Sequence, residues 1–194
     1  MDLHTHQSQI RQSFHLAYPV MLSQLGHVVM GITDSVMVGH LGASPLAAAS
    51  LANVAFNVLL LFGIGVSYAI TPLVATAQGE NNETTITSIL RHGLAINLTN
   101  SFILVGLVIA AKNLLYHIGQ PEEVVSLAVP YLSIITFSII PALVFQTFRQ
   151  FSEGLSHTRI AMTVMIVSNV LHVGLNYLFI YGHAGFSADR KSVV

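Results

Sequence analysis

Apolar residues fall in five long runs separated by short polar or charged segments: residues 16–38, 46–77, 93–111, 124–148 and 160–181. Each is close to, or longer than, the ~20 residues that carry a helix across the hydrocarbon core of a bilayer. The pattern predicts an all-α, polytopic membrane helix bundle of five transmembrane helices. Residues 1–12 read as a short polar tail and residues 13–186 as a single membrane lobe. The second run is longer than one crossing needs, so it must tilt, protrude or kink at Pro72. The fourth contains Pro130 and Pro141. Proline removes a backbone hydrogen bond and bends a helix, which predicts a bent fourth span. Pro19 makes the first span a candidate for a hinge or a passive kink. Residues 78–92, with Gly79, Asn81 and Asn82, read as a loop or interfacial turn, and residues 149–159 as a charged turn.

Composition agrees with this pattern and narrows it. Hydrophobic residues make up 53% of the chain and charged residues 8%, against about 25% charged in ordinary soluble domains. A net charge of −1 supplies no basic surface for phosphates, which excludes nucleic acid as an electrostatic partner. There is no cysteine, hence no disulfide and no thiolate metal site. The first run exceeds the core of a secretory signal and is followed by no convincing cleavage site, so it reads as a retained helix. Basic residues set the orientation. With the amino terminus cytoplasmic, Arg11, Arg91, Arg149 and Arg159 lie inside and Lys112 outside, which predicts a multi-pass protein of the plasma (inner) membrane.

One residue breaks the apolar pattern: Asp34, about one turn from the end of the first span. An ionised carboxylate facing lipid costs ~2.5–3.5 kcal/mol or more. Two readings answer this cost: the side chain reaches the outer interface and is solvated there, or it turns into a water-accessible pocket. Stepping back from Asp34 at helical spacing meets Gly31, His27, Gln24 and Ser23, a small and polar stripe suited to facing protein. The fifth span repeats the theme with Asn169, His172 and Asn176 on one face. A sheltered carboxylate holds either a proton or a metal cation, never both, which is the requirement for a coupling site. In the second span Ser50, Asn53 and Asn57 share a face, and either line a polar interior or make interhelical hydrogen bonds.

The stretch from Gly31 to Gly42 and the alanine-rich start of the second span resemble the multidrug and toxic compound extrusion (MATE) family, NorM-like branch. Three further features agree: Phe145 to Gly154, similar to an Arg-x-Phe-x-x-Gly turn; Leu175 to Gly182, similar to the close of the family's fifth helix; and Pro19, where many members carry proline. The resemblance covers roughly residues 11 to 185. It implies a secondary antiporter of two six-helix lobes that exports drugs or organic cations in exchange for Na⁺ or H⁺. It also implies a protein that is not an enzyme and needs no cofactor beyond the coupling ion. By this analogy Asp34 is the cation-coupling carboxylate, and the metal ligand if the ion is Na⁺, with His172 and Asn176 completing its pocket. Position 172 departs from the family, in which many members carry asparagine. Asn57 and Tyr131 are implied as cavity-lining residues, and Pro19 as the bend that accompanies protonation. The expected partners are the lipid bilayer, a small-molecule drug or organic cation, and a carboxyl-terminal lobe missing from this chain.

Five spans leave a six-helix lobe incomplete, and residues 189–194 look like a translated sequencing adapter. This predicts an artefactual tail at 187–194 on a truncated amino-terminal fragment that is inactive alone. Rival functions fit the sequence less well. A lipid-linked sugar flippase of the same superfamily would be expected to carry basic cavity residues, and no Lys or Arg lies inside these spans. An intramembrane aspartyl protease needs two carboxylates at one site, and only Asp34 is intramembrane. No zinc-protease or nucleotide-loop signature is present.

Overall fold

A computed structural model of the chain describes residues 3–39 and 42–180; the expected tail at 187–194 lies outside the described residues. The described chain is helical throughout: α1 (Leu3–Gly39), α2 (Ala43–Ser67), α3 (Ile70–Gly79), α4 (Glu83–Ala111) with a 3₁₀ turn at Lys112–His117, α5 (Glu122–Thr136), α6 (Ile139–Gly154) and α7 (Thr158–Ile180). The five expected runs correspond to α1, α2 with α3, α4, α5 with α6, and α7. By length and hydropathy the α2–α3 stretch, α4 with its 3₁₀ turn, and α7 can each cross a membrane, and α5 with α6 make a fourth crossing if the bent pair is one span. α1 is long enough, but it carries Gln24, His27 and Asp34 and is not among those that qualify on hydropathy.

Proline explains both broken spans. A proline leaves the carbonyl four residues earlier without its helical N–H. For Pro72 that carbonyl belongs to Tyr68 and for Pro141 to Phe137, and the helices break at 68–69 and at 137–138. The second break bends α5 against α6 by 46°. Pro19 and Pro130, by contrast, lie inside uninterrupted helices.

Three boundaries differ from the sequence expectation. The charged turn expected at 149–159 narrows to 155–157, because α6 runs on to Gly154 and α7 opens at Thr158. The polar start expected as a tail to residue 12 is helical from Leu3. The expected loop at 78–92 shrinks to a turn before Glu83, because Asn82 caps α4: its Oδ1 accepts from the Thr85 N–H at 3.0 Å, and Glu83 follows in the positive first turn. Asn82→Ala is expected to cost about 1 kcal/mol, read as a lower midpoint of thermal unfolding in detergent.

The chain divides into two compact units, residues 38–155 and residues 1–37 with 156–194. In the first, α2 packs on α5, and α6 on α3 and α4. Its core mixes small and large apolar residues: Ala48 and Ala52 of α2 cluster with Val125, Ala128 and Leu132 of α5, joined by Val108 of α4 and by Ile139 and Leu143 of α6. Many large apolar side chains point outward, with Leu61, Phe62 and Ile134 at 68%, 70% and 73% exposure. Alanines in the core and large apolar side chains on the outside suit helices whose solvent is lipid. The second unit contains α1 and α7.

Candidate functional site

α1 and α7 approach closely where α1 has no side chain. A Cβ on Gly26 would lie 2.7 Å from Asn169 Nδ2 and 3.1 Å from Met165 Cγ, so glycine permits this contact. Further along, Asp34 meets His172 and Asn176. Moving forward along α1 therefore moves forward along α7, and the two helices run parallel. The first and fifth spans of a chain that alternates direction must do so. From Gly26 to Asp34 the rise is about 12 Å at 1.5 Å per residue.

The carboxylate is the acceptor at the centre of this contact. Asn176 Nδ2 donates to Asp34 Oδ1 at 2.9 Å. His172 Nε2 lies 3.3 Å from the same oxygen and 3.3 Å from Asn176 Nδ2. The Asp34 side chain is 41% exposed and that of His172 31%, so the cluster is partly sheltered and still reachable. His172 Nδ1 is buried without a hydrogen-bond partner, which leaves Nε2 as the nitrogen that does the ring's polar work. Spacing on α7 makes the triad possible: residues 172 and 176, four apart, stand one above the other on one helix face.

Other residues of the expected stripe are placed differently. Ser23 is buried, but its hydroxyl donates to the Pro19 carbonyl at 3.0 Å within α1. Gln24 and Gly31 are exposed, and the His27 side chain lies outside the described residues. Asn57 on α2 and Tyr131 on α5, expected at a cavity wall, belong to the unit of residues 38–155, where both are exposed. Ser50 is exposed as well, so the polar face of α2 is not enclosed within that unit. Among the described residues no group of three His, Cys, Asp or Glu could hold a metal ion. Any cation here would rest on one carboxylate, one imidazole and amide oxygen.

One polar cluster escaped the sequence reading. Ser67 Oγ donates to Asn97 Oδ1 at 3.1 Å, and Asn97 Nδ2 donates to Thr147 Oγ1 at 2.8 Å, linking α2, α4 and α6. All three are at most 1% exposed. Asn97 stands out in its apolar run, but nothing in the sequence pairs it with positions 67 and 147.

Comparison with known proteins decides the family. The MatE family model matches residues 19–178. The chain belongs to the MatE family. Its relatives include the probable multidrug resistance protein NorM of Rhizobium meliloti, 35% identical over 92% of this chain and 38% of that protein. They also include its counterpart in a Synechococcus strain, 32% identical over 96% of this chain and 40% of that protein. The NorM protein of Photobacterium profundum is 30% identical, over 95% of this chain and 40% of that protein. The MatE chain thus spans about two fifths of the length of these relatives. Among solved structures, an outward-facing multidrug resistance MATE family transporter of the MOP superfamily superposes with a TM-score of 0.81 at 20% identity, over 88% of this chain and 38% of that one. A MOP superfamily transporter from Pyrococcus furiosus gives 0.72 at 21% identity, over the same shares. These two likenesses show the fold, and the family together with the apolar helices makes the chain part of a multi-pass membrane protein.

Proposed function

We propose that this chain serves as one lobe of a secondary multidrug antiporter that exports drugs or organic cations in exchange for Na⁺ or H⁺, with Asp34 as the coupling carboxylate. The observation that carries this reading is the α1–α7 contact, where Asp34 Oδ1 meets Asn176 Nδ2 at 2.9 Å and His172 Nε2 at 3.3 Å. An anionic oxygen gathered with an amide and an imidazole, partly open to its surroundings, can accept one small cation at a time. For a proton, the carboxyl O–H would turn to His172 Nε2 as acceptor. For Na⁺, a half-turn of the Asn176 amide would present Oδ1 in place of Nδ2, completing an oxygen-rich shell with Asp34, while a neutral imidazole adds a nitrogen and an imidazolium would repel the ion. Occupation by either cation neutralises Asp34 and turns its charge-assisted hydrogen bond from Asn176 into a weaker neutral one, so the strength of the α1–α7 contact changes with the ion. With the amino terminus cytoplasmic, Asp34 lies in the outer half of the membrane, where entry of the outside ion would reach it.

The test is efflux of a fluorescent cationic drug by a full-length protein that carries this sequence as its amino-terminal part. Efflux should stop when both the Na⁺ and the H⁺ gradients are collapsed by ionophores, and comparison of Na⁺ with Na⁺-free buffer at two pH values identifies the ion. Undiminished efflux without either gradient would remove the antiport reading.

A further inference from the structure

The unit of residues 38–155 has a mechanical pattern that the coupling site does not use. α2–α3 and α5–α6 are each interrupted, at 68–69 and at 137–138, while α4 runs unbroken from Glu83 to Ala111 between them. Beyond the interruptions α3 and α6 are clasped: Thr71 Oγ1 meets the backbone carbonyl of Gln150 at 3.0 Å and also its side-chain Oε1, and Gly154 lies directly against Val74 and the Thr71 carbonyl. Before the interruptions α2 and α5 are joined through Ala48, Ala52, Val125 and Ala128. Asn97 of α4 stands where these halves meet, bonded on one side to Ser67, the last residue of α2, and on the other to Thr147 of α6.

We propose that α3 and α6 move together as one lever relative to α2 and α5, with α4 as the axis, and that the Ser67–Asn97–Thr147 chain is the latch that holds one position of this lever. The joints lie where proline has already removed a helical hydrogen bond, so flexing there meets fewer backbone bonds than in an intact helix, the Ile140 N–H to Phe137 carbonyl bond at 3.3 Å being one that remains. The latch can release because its end group has somewhere else to go. Ser67 Oγ also lies 3.5 Å from the Gly63 carbonyl in its own helix, and Thr147 Oγ1 already donates to the Leu143 carbonyl at 2.9 Å. Only Asn97 is left wanting when the chain opens, and an unpaired buried amide is unfavourable enough to make the latched position discrete. A latch of this kind gives two defined positions rather than a continuum.

Because the chain has no cysteine, introduced pairs are its only thiols. Spin labels at Ala75→Cys and Leu127→Cys report across the joints, and labels at Ala75→Cys and Phe148→Cys report within the clasped pair; all three positions are exposed. Distances are measured by double electron–electron resonance on the chain in lipid nanodiscs. Asn97→Ala should broaden or shift the 75–127 distances and leave the 75–148 distances unchanged. Pro72→Ala with Pro141→Ala, which restores the missing donors, should narrow the 75–127 distribution; this arm stands even where Asn97→Ala fails to fold. Equal broadening of both pairs by Asn97→Ala would show a plain structural staple. An unaltered 75–127 distribution in both variants would overturn the lever itself.

Discussion

Asparagine at position 34 should reduce coupled drug efflux at least about tenfold, the consequence of losing 1.4 kcal/mol or more from the transport step. The substitution is nearly isosteric. An asparagine side chain can still turn its oxygen toward Asn176 Nδ2, so the 2.9 Å hydrogen bond and the α1–α7 contact survive. What disappears is the negative charge, and with it the ability to exchange one cation for another. Membrane insertion and helix content should therefore match the unmodified protein while ion-driven efflux fails. The check pairs an efflux assay on the full-length protein with quantification of the inserted protein. Normal efflux at normal abundance would take the coupling role away from Asp34. Loss of abundance in step with efflux would point to folding instead, and Asp34→Glu, which keeps the charge on a longer stem, then separates the two by recovering part of the ion dependence.

Much of this architecture was legible because lipid leaves a chain few options. Backbone groups must be satisfied internally, so long apolar runs have to be helices. The breaks were legible too: Pro72 and Pro141 mark positions four residues downstream of the interruptions at Tyr68 and Phe137. Asp34 with His172 and Asn176 could be suspected from spacing and from family resemblance, since residues four apart share a face on α7. Lateral pairing was not legible. Which helix face meets which depends on side chains distant in sequence, and so Ser67, Asn97 and Thr147, separated by 30 and 50 residues, gave no joint signal. Asn57 and Tyr131 illustrate the converse. Polarity marks a residue as unusual in a span, but both are exposed within their own unit, and polarity alone does not say what they face.

Valine at position 154 should strongly destabilise the 38–155 unit. A Cβ there would fall 2.7 Å from Val74 Cβ and 2.9 Å from the Thr71 carbonyl oxygen. The second contact is with backbone, which cannot swing aside as the tip of a flexible side chain can. α3 and α6 must then separate, and separation also stretches the Thr71–Gln150 hydrogen bonds that close the clasp. Overpacking of this kind costs typically 1–3 kcal/mol, and the upper end applies here because packing and hydrogen bonding fail together. In a chain of this size that corresponds to a fall of roughly 6–12 °C in the unfolding midpoint. Gly106→Ala is the matched control: nothing lies within 4 Å of a Cβ at that site on α4, so alanine there should be neutral or stabilising by up to about 1 kcal/mol through its helix propensity. Equal midpoints for the two variants, measured by thermal unfolding in the same detergent, would show that α3 and α6 do not touch at Gly154.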